Sequence, residues 1–112
     1  MRIDPLTRDR FIKLEGHPPP MTVKGLCVTD GDEVFAAVGV AVIAGENFIF
    51  CGVKDGCHKK KIVEVWRKFS DLYMQSSQDY YAIIDESIPK AKGLLSHFGF
   101  EQFKDDIYIY RR

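Results

Sequence analysis

FIFCGVKDGCHKKKIVEVWRKFSDLYM, Phe48 to Met74, decides the fold of this chain. Its first six residues, Phe48 to Val53, form an apolar run suited to a strand. From Ile62 to Met74 the apolar residues Ile62, Val65, Trp66, Phe69, Leu72 and Tyr73 recur at three- and four-residue spacing, which predicts an amphipathic helix. Glu64, Arg67, Lys68 and Asp71 fill its wet side. Between the two lies KDGCHKKK, Lys54 to Lys61, a strand-to-helix turn that sets three consecutive lysines at the helix start. The helix dipole is positive there and disfavours each cation by about 0.3–1 kcal/mol. The lysines are therefore either simply solvated or face an anion or an acidic partner. A strand-to-helix turn with open N–H groups is also where phosphates are commonly held.

Upstream, Val34 to Ala44 reads VFAAVGVAVIA, a continuous β-branched and small run that predicts a strand buried on both faces. Met21 to Thr29 is a second strand, joined to it by the turn Asp30 to Glu33, where Asp-Gly is a strong hairpin signal. Gly45-Glu46-Asn47 turns the chain into Phe48, so the three strands make an antiparallel meander. Before them, Thr7 caps a helix over Arg8 to Leu14 with Phe11, Ile12 and Leu14 inward, and Gly16 ends it. Pro18, Pro19 and Pro20 force an extended connector.

Downstream, the polar Gln75 to Asp79 ends the long helix, and Tyr80 to Ile84 is a short strand. Ser87 caps a second helix, with Pro89 tolerated in its first turn, running to about Phe98 and stopping at Gly99. Phe100 to Phe103, the turn Lys104-Asp105-Asp106, and Ile107 to Tyr110 form a closing hairpin. The order is helix, three antiparallel strands, helix, strand, helix, two strands, an α+β or mixed α/β layout in a single domain over residues 1–112.

The 112 residues are 46% apolar and 12% aromatic, enough for a core without staples. Sixteen basic and sixteen acidic residues cancel, which argues against a general nucleic-acid binder. Cys27, Cys51 and Cys57 are odd in number and unevenly spaced, unlike a disulfide framework, and point to a reducing compartment. No run is long and uncharged enough to span a bilayer, and MRIDPLTRDR at the N-terminus is too charged for a secretory signal. The expectation is a non-membrane protein of the cytoplasm.

Cys57-His58 has no second paired motif to complete a zinc set, so no metal is expected. Cys57 at a helix start beside lysines is a possible thiolate nucleophile, but no base is positioned for it. Cys27 and Cys51 lie within strands and read as core residues. Glu46, Asp85 and Glu86 are the candidates for a general base toward an amine, set against the ordinary role of turn carboxylates as solvated surface. His17 and His97 read as loop and packing residues. Tyr108 and Tyr110 alternate with Ile107 and Ile109 as the two faces of an edge strand.

The last third carries a pattern with a wider bearing. A strand ending at Ile84 leads to a helix with Ala91 and Leu94-Leu95, then FGFE at Phe98 to Glu101, an acidic turn and an aromatic strand. This resembles the C-terminal half of the GNAT acetyltransferase superfamily, and the preceding meander and long helix follow the family's order. The resemblance implies a sheet whose central strands splay, with acetyl-CoA in the splay. It puts the pyrophosphate at the start of the helix after the third meander strand, in a turn of roughly Arg/Gln-x-x-Gly-x-Gly/Ala. The residues that fall there are Val53, His58, Lys59, Lys60 and Lys61, the implied cofactor-binding set.

This chain departs from that pattern in three places. Lys61 and Val63 stand where the glycines belong, and Gly56 comes too early. Leu95 occupies the position at which the family often keeps a Tyr as general acid, and Leu cannot donate a proton. Asp85, Glu86 or Ser87 replaces an Asn after the strand. In size and in its basic helix start the chain is similar to small, degenerate GNAT-like proteins of tailed bacteriophages, some of them internal virion components. The resemblance thus implies a GNAT-like domain that has lost acetyl transfer and acts by binding a protein partner, in the virion or the host cytoplasm. The alternative is an active acetyl-CoA-dependent N-acetyltransferase with an amine substrate. A third reading is an edge-strand or basic-patch interaction module.

Overall fold

The structure is a computed structural model that describes residues 1–74, 77–83, 91–104 and 107–111. It is an α+β fold. Among the described residues the elements are β1 (Arg2–Pro5), α1 (Arg8–Glu15), β2 (Lys24–Asp30), β3 (Glu33–Ile43) and β4 (Glu46–Val53). They continue as α2 (Lys59–Tyr73), β5 (Asp79–Ile83), α3 (Ala91–His97), β6 (Glu101–Lys104) and β7 (Ile107–Arg111). The hydrogen-bonded strand order is β1-β2-β3-β4-β5-β7-β6, mixed in direction because β4 and β5 run parallel. The chain divides into two units, residues 1–41 with 50–74 and residues 42–49 with 75–112, so β3 and β4 contribute to both.

The first unit is built around β2 and β3. Cys27 pairs with Ala37, and both join Val34 in a core against Leu6, Leu14 and Phe50. Phe11 on α1 packs its ring on Phe50 at 5.1 Å. Side chains alternate along a strand, so Leu26, Val28, Ala36 and Val38 point to the other face. There α2 packs against β2, burying Val65, Trp66 and Phe69. α1 begins where Thr7 accepts from the Arg10 N–H and ends at Gly16, which takes the left-handed conformation at φ 83.

β1 has no counterpart in the sequence reading. It pairs antiparallel with β2 from Arg2–Thr29 to Pro5–Leu26. Thr29 Oγ1 donates to Asp4 Oδ2 at 2.5 Å, and the Cys27 thiol donates to the Asp4 carbonyl at 3.4 Å. The Thr29 hydrogen bond, then Arg2 and Arg10 nearby, holds the Asp4 carboxyl below its usual range.

In the second unit β4 pairs in parallel with β5 from Asn47–Tyr80 to Ile49–Ala82. β7 lies between β5 and β6, antiparallel to both. Leu95 and Phe98 are buried at the end of α3, and Phe100 packs on Tyr110 at 5.3 Å. Phe48, Tyr81 and Phe103 form an aromatic row with centroids 5.8 and 5.9 Å apart.

Several expectations need correction. The apolar run of β3 is buried only over its first part, since Val42 and Ile43 are 65% and 39% exposed. The turn into β4 is Ala44-Gly45, and Glu46 already belongs to the strand. Leu72 is 68% exposed, because the buried stripe of α2 is only as wide as the partner beneath it. Cys51 is exposed on β4, while Cys27 is fully buried. The Ser87 cap and Pro89 lie outside the described residues, as does the Asp105-Asp106 turn. Among the described residues no helix is long and apolar enough to cross a membrane.

Candidate functional site

The β4–α2 connection, residues 54–58, is held from three sides within the first unit. The first hold is a backbone hydrogen bond to β3, at the residue where its ladder with β2 bulges. Val28 pairs with Ala36 and Thr29 with Val34, so Phe35 has no partner across the ladder. The Phe35 carbonyl accepts the Lys54 N–H at 2.8 Å. The second is the Lys54 side chain, whose Nζ donates to the Lys13 carbonyl in the last turn of α1 at 3.2 Å. The third is Gly56, at φ 93, where a Cβ would come 3.6 Å from Cε1 of the Phe35 ring. A side chain there would be strained by the backbone alone. Gly56 therefore serves the turn before the helix.

α2 begins at Lys59, three residues before the apolar stripe, because lysine is itself a good helix former. His58 is the N-cap in extended conformation and makes no side-chain capping bond. Its carbonyl accepts from the N–H groups of Lys61 and Ile62 at 3.0 and 3.1 Å. The earliest N–H groups of a helix have no intrahelical partner. The first turn holds no acidic residue, so the positive end of the dipole meets only lysines. Lys61 is the exception in its surroundings: half-buried, it donates to Glu64 Oε2 at 2.9 Å and pulls that carboxyl below its usual range.

Five of the expected site residues therefore sit on one connection. Val53 ends β4 and is exposed, His58 caps α2, and Lys59 and Lys60 are exposed on its first turn, with Lys61 turned back onto Glu64. Glu46 is exposed at the start of β4 in the second unit, and Asp85 and Glu86 lie outside the described residues. Cys57 is half-buried, and burial pushes its thiol up, away from the thiolate a nucleophile needs. Leu95 is buried with Phe98 in the second unit, and its carbonyl accepts the Phe100 N–H at 2.9 Å.

Sequence reading places Glu64, Arg67, Lys68 and Asp71 on the wet side of α2 but counts the exposed Leu72 with its buried stripe. Lys59, Val63, Arg67 and Asp71 form one i,i+4 row, and Lys60, Glu64, Lys68 and Leu72 the next. A shallow, open groove of about 450 Å³ runs along these rows from Lys59 to Asp71, lined by α2 alone and stopping short of Leu72. The cue was the exposed row itself, legible once Leu72 is taken off the buried stripe. No protein-family model, no curated protein and no solved structure matches this chain.

Proposed function

We propose that this chain is a GNAT-like domain that has lost acetyl transfer and acts by binding a protein partner. The observation that carries the reading is the start of α2. The positions at which the resemblance requires glycines, Lys61 and Val63, lie inside regular helix, both half-buried, and Lys61 is held by Glu64. A backbone cradle for pyrophosphate needs residues without Cβ at the point of approach. Buried Leu95 supports the same conclusion, because the proton donor expected on the departing thiolate is replaced by a core residue. The parallel pairing of β4 with β5 over Asn47–Ile49, and the run of β4 on to Val53 before α2, support the GNAT-like layout itself. By the resemblance to small phage proteins, the role is that of a virion or assembly component.

Calorimetric titration with acetyl-CoA and with CoA tests this. The expected result is no heat of binding at micromolar ligand; micromolar affinity for either would overturn the proposal. A second reading, an active N-acetyltransferase, draws on the uncapped positive end of α2, which keeps the charge an anion needs. Release of free thiol from acetyl-CoA across a panel of amines would establish it, and no turnover with any amine would remove it.

A further inference from the structure

We infer that the outer face of α2 docks an acidic, leucine-bearing peptide segment of another protein. The inference rests on the reading of the chain as a binding domain and names the partner of that helix. The groove along α2 carries four cations, Lys59, Lys60, Arg67 and Lys68, and two carboxylates, Glu64 and Asp71. Glu64 is bonded to Lys61 and is also drawn down by the charge of Lys68, so the four cations outnumber the carboxylates on this face. Among the described residues no carboxylate lies within ion-pair distance of Lys59, Lys60, Arg67 or Lys68. Two of the four stand where the helix dipole repels them. Their helix propensity extends α2, but their charge opposes the dipole, and an anionic occupant relieves that opposition.

The apolar residues on the same face narrow the occupant. Val63 lies half-buried between the two cation pairs, and Leu72 ends the second row at 68% exposure. Lys59–Lys60 and Arg67–Lys68 are separated by about two helical turns, roughly 12 Å along the axis. An acidic segment with carboxylates at that spacing and an aliphatic side chain between them satisfies both charge and apolar surface. A nucleic acid would bring a phosphate opposite Asp71 and cover Leu72 with nothing apolar, and the chain as a whole carries no net charge to attract it.

The test uses the intact chain and a fluorescein-labelled helical peptide with paired glutamates eight residues apart and leucines between them, read by fluorescence anisotropy. The same peptide with Gln for Glu and a single-stranded DNA 20-mer are run beside it. Expected is saturable binding of the acidic peptide. It weakens at least tenfold in R67E/K68E and several-fold in Leu72→Ser, with unchanged melting temperatures in both variants. Binding that survives charge reversal, equal binding of the Gln peptide, or no binding at millimolar peptide would each overturn the inference. Tighter binding of DNA would overturn it in favour of a nucleic-acid face. Self-association abolished by R67E/K68E would do so in favour of a second copy, docking through the exposed acidic turn Asp30–Glu33. Acetyl-CoA binding would sink the reading of a retired acetyltransferase while leaving the charge-reversal result standing. An unresponsive peptide with no acetyl-CoA binding would sink the docking face alone.

Discussion

Val34 to Gly39 and Val42 to Ile43 lie on one strand, β3, and draw on the same β-branched and small residues. In the first stretch Val34, Ala36, Ala37 and Val38 are each 2% exposed or less, whereas Val42 and Ile43 are 65% and 39% exposed. The strand does not change character between them; its neighbours do. β2 accompanies β3 only as far as the pair Lys24–Val40. The first stretch has Leu14 and Phe50 over the Ala37 side and α2 against β2. Apolar composition states what a segment can bury, and the partners on each face decide what it does bury.

The sharpest way to break this comparison is at the tightest contact of the clamped stretch. Gly25 faces Gly39 across the ladder, and a Cβ on Gly25 would sit 2.0 Å from the Val38 carbonyl oxygen and 2.6 Å from the Gly39 Cα. Both are backbone atoms that cannot swing away. We expect Gly25→Ala to cost about 3 kcal/mol, the upper end of overpacking penalties, read as a fall in the urea midpoint. A midpoint equal to that of the parent chain would show that the β2–β3 clamp is loose.

Truncating one side chain in each stretch is the direct contrast. Val38→Ala opens a void in a filled core and is expected to cost about 2 kcal/mol. Val42→Ala removes a side chain already largely in water and is expected to stay within about 0.5 kcal/mol. Equal losses would mean that the exposed stretch is packed against something in solution.

The same logic separates what the chain disclosed in advance from what it withheld. Local signals were readable: Thr7 and Gly16 bound α1, the Asp-Gly turn joins β2 to β3, and Val65, Trp66 and Phe69 mark the buried side of α2. The strand-turn-helix that carries the candidate site was readable for the same reason. β1 was not, because Arg2–Pro5 is four residues long with charges and a proline, and is a strand only by virtue of the β2 edge beside it. Leu72 has inward spacing but is 68% exposed, with no partner covering it among the described residues. The hold on residues 54–58 draws on the carbonyl and ring of Phe35, nearly twenty positions away, and no local pattern encodes those contacts.

A smaller effect tests the β1 edge of the clamped stretch through pH. The Asp4 carboxyl is held below its usual range by Thr29 first, then by Arg2 and Arg10. A group depressed in the folded state contributes stability that is present above its unfolded value and lost as pH falls through the folded one. The contribution should therefore be intact above pH ~4, the unfolded carboxyl value, and vanish in stronger acid. Asp4→Asn should remove that part of the acid dependence, so that urea midpoints of parent and variant converge as pH is lowered. Curves that stay parallel from neutral pH into acid would detach Asp4 from the stability of the edge.

The smallest expected effect lies at the far end of β3 and has the opposite sign. Ala44 turns the chain into β4 at φ 51, the positive-φ non-glycine among the described residues, and Gly45 follows at φ 80. Two successive left-handed residues form the tight turn that matches strand twist, and alanine occupies the first of them against its preference. Ala44→Gly relieves that strain of about 1 kcal/mol but returns some of it as extra freedom in the unfolded chain. The net gain should be about 0.5 kcal/mol, with the midpoint rising while the transition slope stays the same. Because Val42 and Ile43 contribute little by burial, the turn is the main local brake on this end of β3. A fall in stability on Ala44→Gly would mean that the alanine methyl is covered in solution, and that this end of the strand has a partner after all.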